Sequence, residues 1–462
     1  MSAAAKSAEP PGPRGHWLLG CAPAMQADML GFYQDVARDY GDIAKLRVMH
    51  LTFYFLNSPQ HIHHVLAGNE RNYRRSDFGN KLLKIAMGDN IITTDGPDWL
   101  GRRKLMQPLF TRRQVGRFAE LMVAQAERML ERLTSEAATG ATIDIDAAMK
   151  RITLSVVGRA MFNLDLGDDH NEIAAHLKEG GDYFVYRYKN PMAPPLWMPT
   201  ARNRAFRRSM AGVADLVPRL VAERRAALAS DRNAVPDDLL TRLLEARFED
   251  TGQGFTDAEL KNEIGVMIGA GYETTALTLG WTAYLLSQHP EISTRLEQEV
   301  DETLRGRSPT LQDVDRLTYT RMVIDESMRL YPASWGMART SIGTDEFGPY
   351  RIPAGANIIF SPYVLHRRPD IWPDPERFDP ERFASDRQAE RPSCSFIPFG
   401  FGRRSCLGNH FALMEATLVL AMVVQRFRFH LAPGHDVAPE PLMTMGPRGG
   451  LPMILEPRSA AT

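Results

Sequence analysis

The sequence predicts a mainly α-helical domain with a small β region. Apolar residues recur at three- and four-residue spacing in seven stretches, strand-like patterning is confined to two short regions, and no linker or repeat divides the chain. Its 462 residues are 44% hydrophobic and 24% charged, the balance of a globular protein, which excludes a disordered or fibrous one. A length prior of about 150 residues per domain would give three. Without a linker, the expectation is one large domain over 15–462, preceded by a mobile Pro-rich arm at 1–14 with prolines at 10, 11 and 13.

The helical stretches are 114–137, 144–163, 212–230, 256–288, 291–305, 318–331 and 408–426. The fourth has a readable start, Thr256 with Glu259 three residues on, a capping box, and a readable stop at His289-Pro290. At 1.5 Å per residue it makes a rod of about 48 Å, long enough to cross a domain. Strands are expected at 43–48 and 52–56, and a hairpin over 349–361 with Pro353, Ala354 and Gly355 at its turn. Residues 362–405 are aperiodic but keep their aromatics, so they read as ordered coil.

A formal charge of −1 excludes binding of nucleic acid by counterion release, which needs a strongly basic surface. There is no secretory leader pattern and no apolar run of membrane-spanning length, so no transmembrane anchor and a cytoplasmic location are expected. Three cysteines, Cys21, Cys394 and Cys406, are too few for a disulfide framework or a four-cysteine metal site. Cys21 and Cys394 read as small buried hydrophobes.

Cys406 is different. Phe399, Gly402, Arg404, Cys406 and Gly408 stand at spacing F-x-x-G-x-R-x-C-x-G, directly before a helical pattern. Amides at a helix N-terminus stabilise thiolate over thiol. Flanking glycines leave room for a flat ligand, Arg404 suits an anionic group of that ligand, and Phe399 shields the sulfur. At these residues the chain resembles the cytochrome P450 family of haem-thiolate monooxygenases, and further motifs extend the resemblance over about 30–455. It implies a single cytochrome P450-type domain, with the long central helix lying over haem b and small antiparallel sheets. Cys406 would be the axial thiolate, whose electron donation favours O–O cleavage.

Within the long helix, IGAGYETTALTLG sets Glu273 and Thr274 in an apolar context. An ordinary reading pairs Glu273 with a basic residue and back-bonds Thr274 to the Ala270 carbonyl. The resemblance implies more: Ala270 and Gly271 let cofactor and dioxygen approach, while Glu273 and Thr274 act as an acid–alcohol pair relaying protons. Glu326-Ser-Met-Arg329, alone, is a surface ion pair. With Arg382 in PDPERFDPERF it resembles the triad that locks the cysteine loop.

Trp99 and Arg103 at i and i+4 resemble the contact with a haem propionate, and Arg339 and Arg404 match two more such positions. Arg102, Lys104, Arg112, Arg113 and Arg117 add positive charge, read as a basic patch for an acidic donor of ferredoxin or flavodoxin type with its NAD(P)H reductase. HIHH at 61–64 has no completing ligand set and is not read as a metal site.

The resemblance assigns pocket walls to Phe78, Leu82, Phe184, Met267, Trp335, Met337 and Met443, with Tyr183, Trp197 and Met445 beside them. Such lining suits a lipophilic substrate, with terpenoid, steroid and fatty acid equally open. Arg187 or Lys189 would suit a substrate carboxylate. The expected activity is insertion of one oxygen atom from O2, with two electrons from a separate partner. The rivals are a peroxide-driven peroxygenase and a non-catalytic haem sensor or carrier.

Overall fold

The computed structural model describes residues 9–458 except 165, 167–175, 177, 178, 181, 184, 185, 188, 189, 191, 192 and 250. In chain order, its first half contains α1 (Met29–Tyr40), β1 (Ile43–Val48), β2 (Leu51–Leu56), α2 (Pro59–His63), β3 (Tyr73–Arg75), α3 (Asp77–Met87) and α4 (Gly96–Met106). There follow α5 (Ala119–Ala137), β4 (Ile143–Asp144), α6 (Ile145–Phe162), α7 (Ala201–Ser230) and α8 (Asp257–Gln288). Beyond these come α9 (Pro290–Leu304), α10 (Thr318–Leu330), β5 (Met337–Ser341), β6 (Asp345–Phe347), β7 (Tyr350–Ile352) and β8 (Asn357–Phe360). The chain closes with α11 (Asn409–Arg426), β9 (Phe427–Leu431), β10 (Pro439–Pro441), β11 (Met445–Pro447) and β12 (Pro452–Pro457). Helices dominate and sheets are small, as the periodicity predicts.

Two compact units make up the fold. The first comprises 1–86, 93–96 and 325–406. Its five-stranded sheet has the order β1-β2-β8-β5-β3. β2 and β8 run parallel, Phe53 opposite Asn357, so this sheet is mixed and not purely antiparallel as expected. Tyr54, Leu56, Ile358 and Phe360 from the sheet join Ile62, Leu66 and Ile397 in a buried core. Each such side chain contributes roughly 1.5–3 kcal/mol of hydrophobic stabilisation.

The expected 349–361 hairpin does not form. β7 pairs with β6, and β8 instead adds to β2 and β5. The turn that closes a hairpin is Gly348-Pro349, with Gly348 at φ +60, because a two-residue loop needs a positive φ at its first central position. The arm is also anchored from Glu9 onward: Lys45 N–H donates to the Pro11 carbonyl, and Lys45 pairs with Glu9 at 2.8 Å.

The second unit comprises 87–92, 97–324 and 407–462. α8 begins with the predicted capping box, Thr256 accepting from Glu259 N–H while Glu259 accepts from Thr256 N–H. It packs along α6, whose N-cap Asp144 accepts from two first-turn amides and whose end is Asn163 in left-handed conformation. Fully buried Trp281 anchors α8 by donating to the Met445 carbonyl at 3.0 Å. β4, β12 and β9 form a three-stranded sheet, and β10 pairs with β11.

Two predicted helix boundaries differ. The 114–137 pattern is continuous helix only from Ala119, because its first residues form short turns about Gly116. The 212–230 helix starts at Ala201, where Thr200 caps Asn203 N–H, so an Arg-rich first third without an apolar stripe hid its beginning. Among the described residues no helix is long and apolar enough to cross a membrane.

Candidate functional site

The three cysteines divide as read. Cys21 and Cys394 are buried, and burial pushes both thiols up, Cys394 to about 12. Cys406 is exposed. Its amide donates to the Phe399 carbonyl at 2.8 Å, closing the loop that carries it. Gly402 sits at φ +71, where a Cβ would stand 2.1 Å from the Leu66 carbonyl oxygen, so only glycine lets the loop lie this close to its neighbour. Three residues past Cys406, α11 begins at Asn409, with Gly408 as an N-cap that has no side chain to offer the first-turn amides.

A second feature of the first unit went unseen in the sequence. Arg75 on β3 lies directly opposite Arg339 on β5 in the antiparallel ladder. Like charges opposed on a sheet are destabilising. Arg404 belongs to the same group: its guanidinium reaches Asp95 at 2.5 Å, and Asp95 also accepts the Arg75 amide. Burial, then Arg339 and Arg404, bring Arg75 down to about 9, and burial with Arg404 brings Arg339 to about 10. All three stay cationic at neutral pH. Arg75 Nε is buried without a hydrogen-bond partner. Three guanidiniums sharing one carboxylate make a site that a further anion would neutralise.

Glu326, Arg329 and Arg382 come together in the same unit. Arg329 donates to Glu326 at 2.6 and 2.8 Å, with both side chains wholly buried. Its Nη1 donates to the carbonyls of His366 and Pro375, and Nη2 also donates to that of Arg377. Arg382 approaches Glu326 at 3.3 Å, and Asp379 N–H donates to it. One carboxylate thus serves two guanidiniums and fixes the segment that leads to the cysteine loop.

In the second unit, Ala270 is exposed midway along α8, although the helix is mostly buried on either side of it. A Cβ on Gly271 would stand 3.1 Å from Val157, so this glycine also sets how closely α6 approaches. Thr274 back-bonds to the Ala270 carbonyl at 2.9 Å, as in the ordinary reading. Glu273 has a hydroxyl as its hydrogen-bond donor: Thr444 donates to Glu273 Oε1 at 3.1 Å. Burial raises the Glu273 carboxyl, with Lys150 and the Thr444 bond opposing. An acid so placed takes up and releases protons closer to neutral pH than a solvated one.

Trp99 is buried on α4, and Arg103 Nε donates to Gln107. Arg102 is no part of an open basic patch. It is buried and bonded to Asp98, Glu259 and Glu263. Lys104, Arg112 and Arg117 pair with Glu249, Asp315 and Asp237, leaving the exposed Arg113.

Among expected pocket residues, Met267 is buried on α8, Trp335 precedes β5, and Met337 packs against the first unit's core. Met443 and Trp197 are exposed, which leaves them little enclosed surface to offer a ligand. Tyr183 donates to Asn203 and stacks on Phe206. Phe78 and Leu82 fall on α3, but their side chains, like all of Phe184 and Lys189, lie outside the described residues. Arg187 is spent on the carbonyls of Ala193 and Pro194. His61 stacks edge-on against Phe347 and His64 meets Asp345, and no metal-ligating cluster exists among the described residues.

Comparison with known proteins gives these features a common frame. The family profile described as Cytochrome P450 matches residues 10–451. The chain is 34% identical to cyclooctatin synthase of Streptomyces melanosporofaciens, over 96% of this chain and 95% of that protein. It is 33% identical to cyclooctat-9-en-7-ol 5-monooxygenase of the same organism, over 98% of both. It is 31% identical to pentalenene oxygenase of Streptomyces avermitilis, over 93% of both. The chain belongs to the cytochrome P450 family of haem-thiolate monooxygenases.

Proposed function

We propose that the protein hydroxylates or epoxidises a terpenoid, using haem b, O2 and two electrons from a ferredoxin- or flavodoxin-type donor in the cytoplasm. The observation that carries the cofactor assignment is the arginine cluster. Arg75, Arg339 and Arg404 around a single Asp95 need a further anion, which the two propionates of haem b supply. Exposed Cys406, held by its Phe399 contact ahead of an uncapped helix start, suits the thiolate ligand. When bound, haem supplies the iron-centred oxygen chemistry that no side chain provides.

The chain's own residues do the rest. Glu273, half-buried, binds its proton more tightly than a solvated carboxyl would, and the Thr444 hydroxyl fixes that carboxyl's orientation. Thr274, on the next residue, presents a hydroxyl that both donates and accepts. This acid–alcohol pair would hold and move a proton between the Glu273 carboxyl and the Thr274 hydroxyl. Exposed Ala270 presents no side chain beyond a methyl, leaving space along α8 for substrate. Cyclooctat-9-en-7-ol and pentalenene, in the names of two relatives, favour a terpenoid over a steroid or fatty acid.

The test is a screen of terpenoids, steroids and fatty acids by the low- to high-spin shift of the purified protein, followed by turnover under isotope-labelled dioxygen. A terpenoid should give the largest shift and gain one labelled oxygen atom only when reductant is present. Product formed with peroxide alone would make it a peroxygenase, and a spin shift confined to fatty acids would overturn the substrate class.

A further inference from the structure

We infer that Asp345 is a positioning residue for cofactor retention: through the Tyr73 hydroxyl it holds β3 in the register that sets Arg75 against Arg339 and beside Arg404. The inference rests on the proposed role of that arginine cluster as the seat of the haem propionates.

β3 needs such a hold. It is three residues long and lies at the edge of the five-stranded sheet. Its last residue faces a like charge, because Arg75 is paired with Arg339. So short a ladder fixes register weakly, and a slip by one residue would turn the Arg75 side chain to the other face of the sheet. Tyr73 stands two residues before Arg75, on the same face of the strand, and is buried. Its hydroxyl donates to Asp345 Oδ2 on β6 at 2.6 Å. A register shift breaks this bond at once.

Asp345 gathers more than Tyr73. It accepts from Asn69 Nδ2 at 2.9 Å and from the Glu346 amide at 2.8 Å, and His64 Nε2 lies 3.0 Å from it. His64, from the HIHH run, thus serves as a partner of this carboxylate. The link from β5 to β6 is tied to the same place. Ile342 N–H donates to the Asn72 carbonyl and Gly343 N–H to Asn72 Oδ1, both at 2.7 Å. Burial favours the neutral acid, but the bonds from Tyr73, Glu346, His64 and Asn69 outweigh it and hold Asp345 down at about 2. It is a fixed anion at neutral pH, and hydrogen bonds to an anion are the strong kind.

The stretch so anchored also meets the cysteine loop. Glu70 pairs with Arg403 at 3.0 Å, and the His63 ring lies 5.4 Å from that of Phe401. Residues 63–75 therefore run from the loop that carries Cys406 to the arginine cluster, with Asp345 holding them between the two. Loosening that hold frees Arg75 to move away from Arg339, and the cluster loses one of its three cations.

The experiment follows transfer of haem from the purified holoprotein to an acceptor protein in Tyr73→Phe, Asp345→Asn and Arg75→Met, and in the first two combined with the third. Melting of the cofactor-free chains is measured alongside. Tyr73→Phe deletes one hydroxyl, so the test survives if Asp345→Asn does not fold. Tyr73→Phe and Asp345→Asn should each speed haem loss by roughly three- to tenfold. Neither should add to the loss once residue 75 is Met, because the repulsion and the grip have gone together. The propionate bands of the resonance Raman spectrum should shift in Tyr73→Phe in the same direction as in Arg75→Met. A lower melting temperature with haem loss unchanged, or an effect that multiplies in full with that of Arg75→Met, overturns the inference and leaves the propionate reading standing. Haem loss no faster in Arg75→Met than in wild type overturns that reading, and the inference with it.

Discussion

Thr444 donates its hydroxyl to Glu273 Oε1 at 3.1 Å, tying the acid in the middle of α8 to the turn between β10 and β11. The bond favours the charged carboxylate, whereas burial favours the neutral acid and prevails. Thr444→Val removes the opposing contribution, so the Glu273 carboxyl rises further. The pH profile of product formation should move to higher pH in Thr444→Val and lose that limb in Glu273→Gln. Thr274→Ala should leave the substrate spin shift intact while reductant consumption outruns product, with peroxide released. Unchanged coupling in Thr274→Ala would remove the alcohol from the relay.

Arg75 should matter to cofactor retention and not to the fold. Opposite Arg339 in the ladder, it adds repulsion that a bound dianion relieves. Arg75→Met should lower haem content and speed haem loss to an acceptor protein by roughly tenfold, about 1.4 kcal/mol. The cofactor-free chain should melt no lower than wild type. Arg75→Lys, which keeps charge but not the planar fork, should fall between. A lower melting temperature without the cofactor, with haem loss unchanged, would make Arg75 merely structural.

The Glu326–Arg329 pair has no exposed surface, so removing Arg329 leaves a buried carboxylate with only Arg382, at 3.3 Å, as its counter-charge. Arg329→Met should cost about 3–5 kcal/mol and abolish cofactor incorporation. Arg329→Lys should not rescue it, since an ammonium cannot span Glu326 and three carbonyls at once. Thermal melting and haem per polypeptide measure both effects.

Glu415 on α11 is fully buried, neither carboxylate oxygen has a hydrogen-bond partner, and burial raises its pKa well above the ordinary value. The sign follows from linkage. A raised folded-state pKa means that the native chain holds this proton where the unfolded chain releases it. The native state thus loses stability as pH rises from the ordinary carboxyl range towards the raised value. Glu415→Gln removes that loss, so its stability relative to wild type should increase with pH across this window. Denaturant unfolding at several pH values checks it, and an infrared carboxylic-acid band at neutral pH, absent from Glu415→Gln, identifies the proton.

Legibility in the sequence tracked locality. The capping box at Thr256, the stop before Pro290 and the helix start just past Cys406 each depend on a few neighbouring residues, and each appears where expected. Arg75 was invisible because β3 has three residues, too few for alternation, and its meaning comes from pairing with a strand far along the chain. Thr444 was missed for the same reason. Arg102 was misread because spacing shows a charge but not the carboxylates folded against it. The 349–361 hairpin failed because β8 found partners in β2 and β5, a competition that local pattern does not contain.

We propose Cys406 as the thiolate ligand of haem, on its exposure and its place just ahead of α11. The reduced, carbon-monoxide-bound absorption spectrum tests it most directly. The spectrum should show the strongly red-shifted Soret band that gives the family its name, kept in Cys21→Ser and Cys394→Ala and lost in Cys406→Ser. A wild-type band at the position of a histidine or neutral thiol ligand, or a red-shifted band that survives in Cys406→Ser, would contradict it.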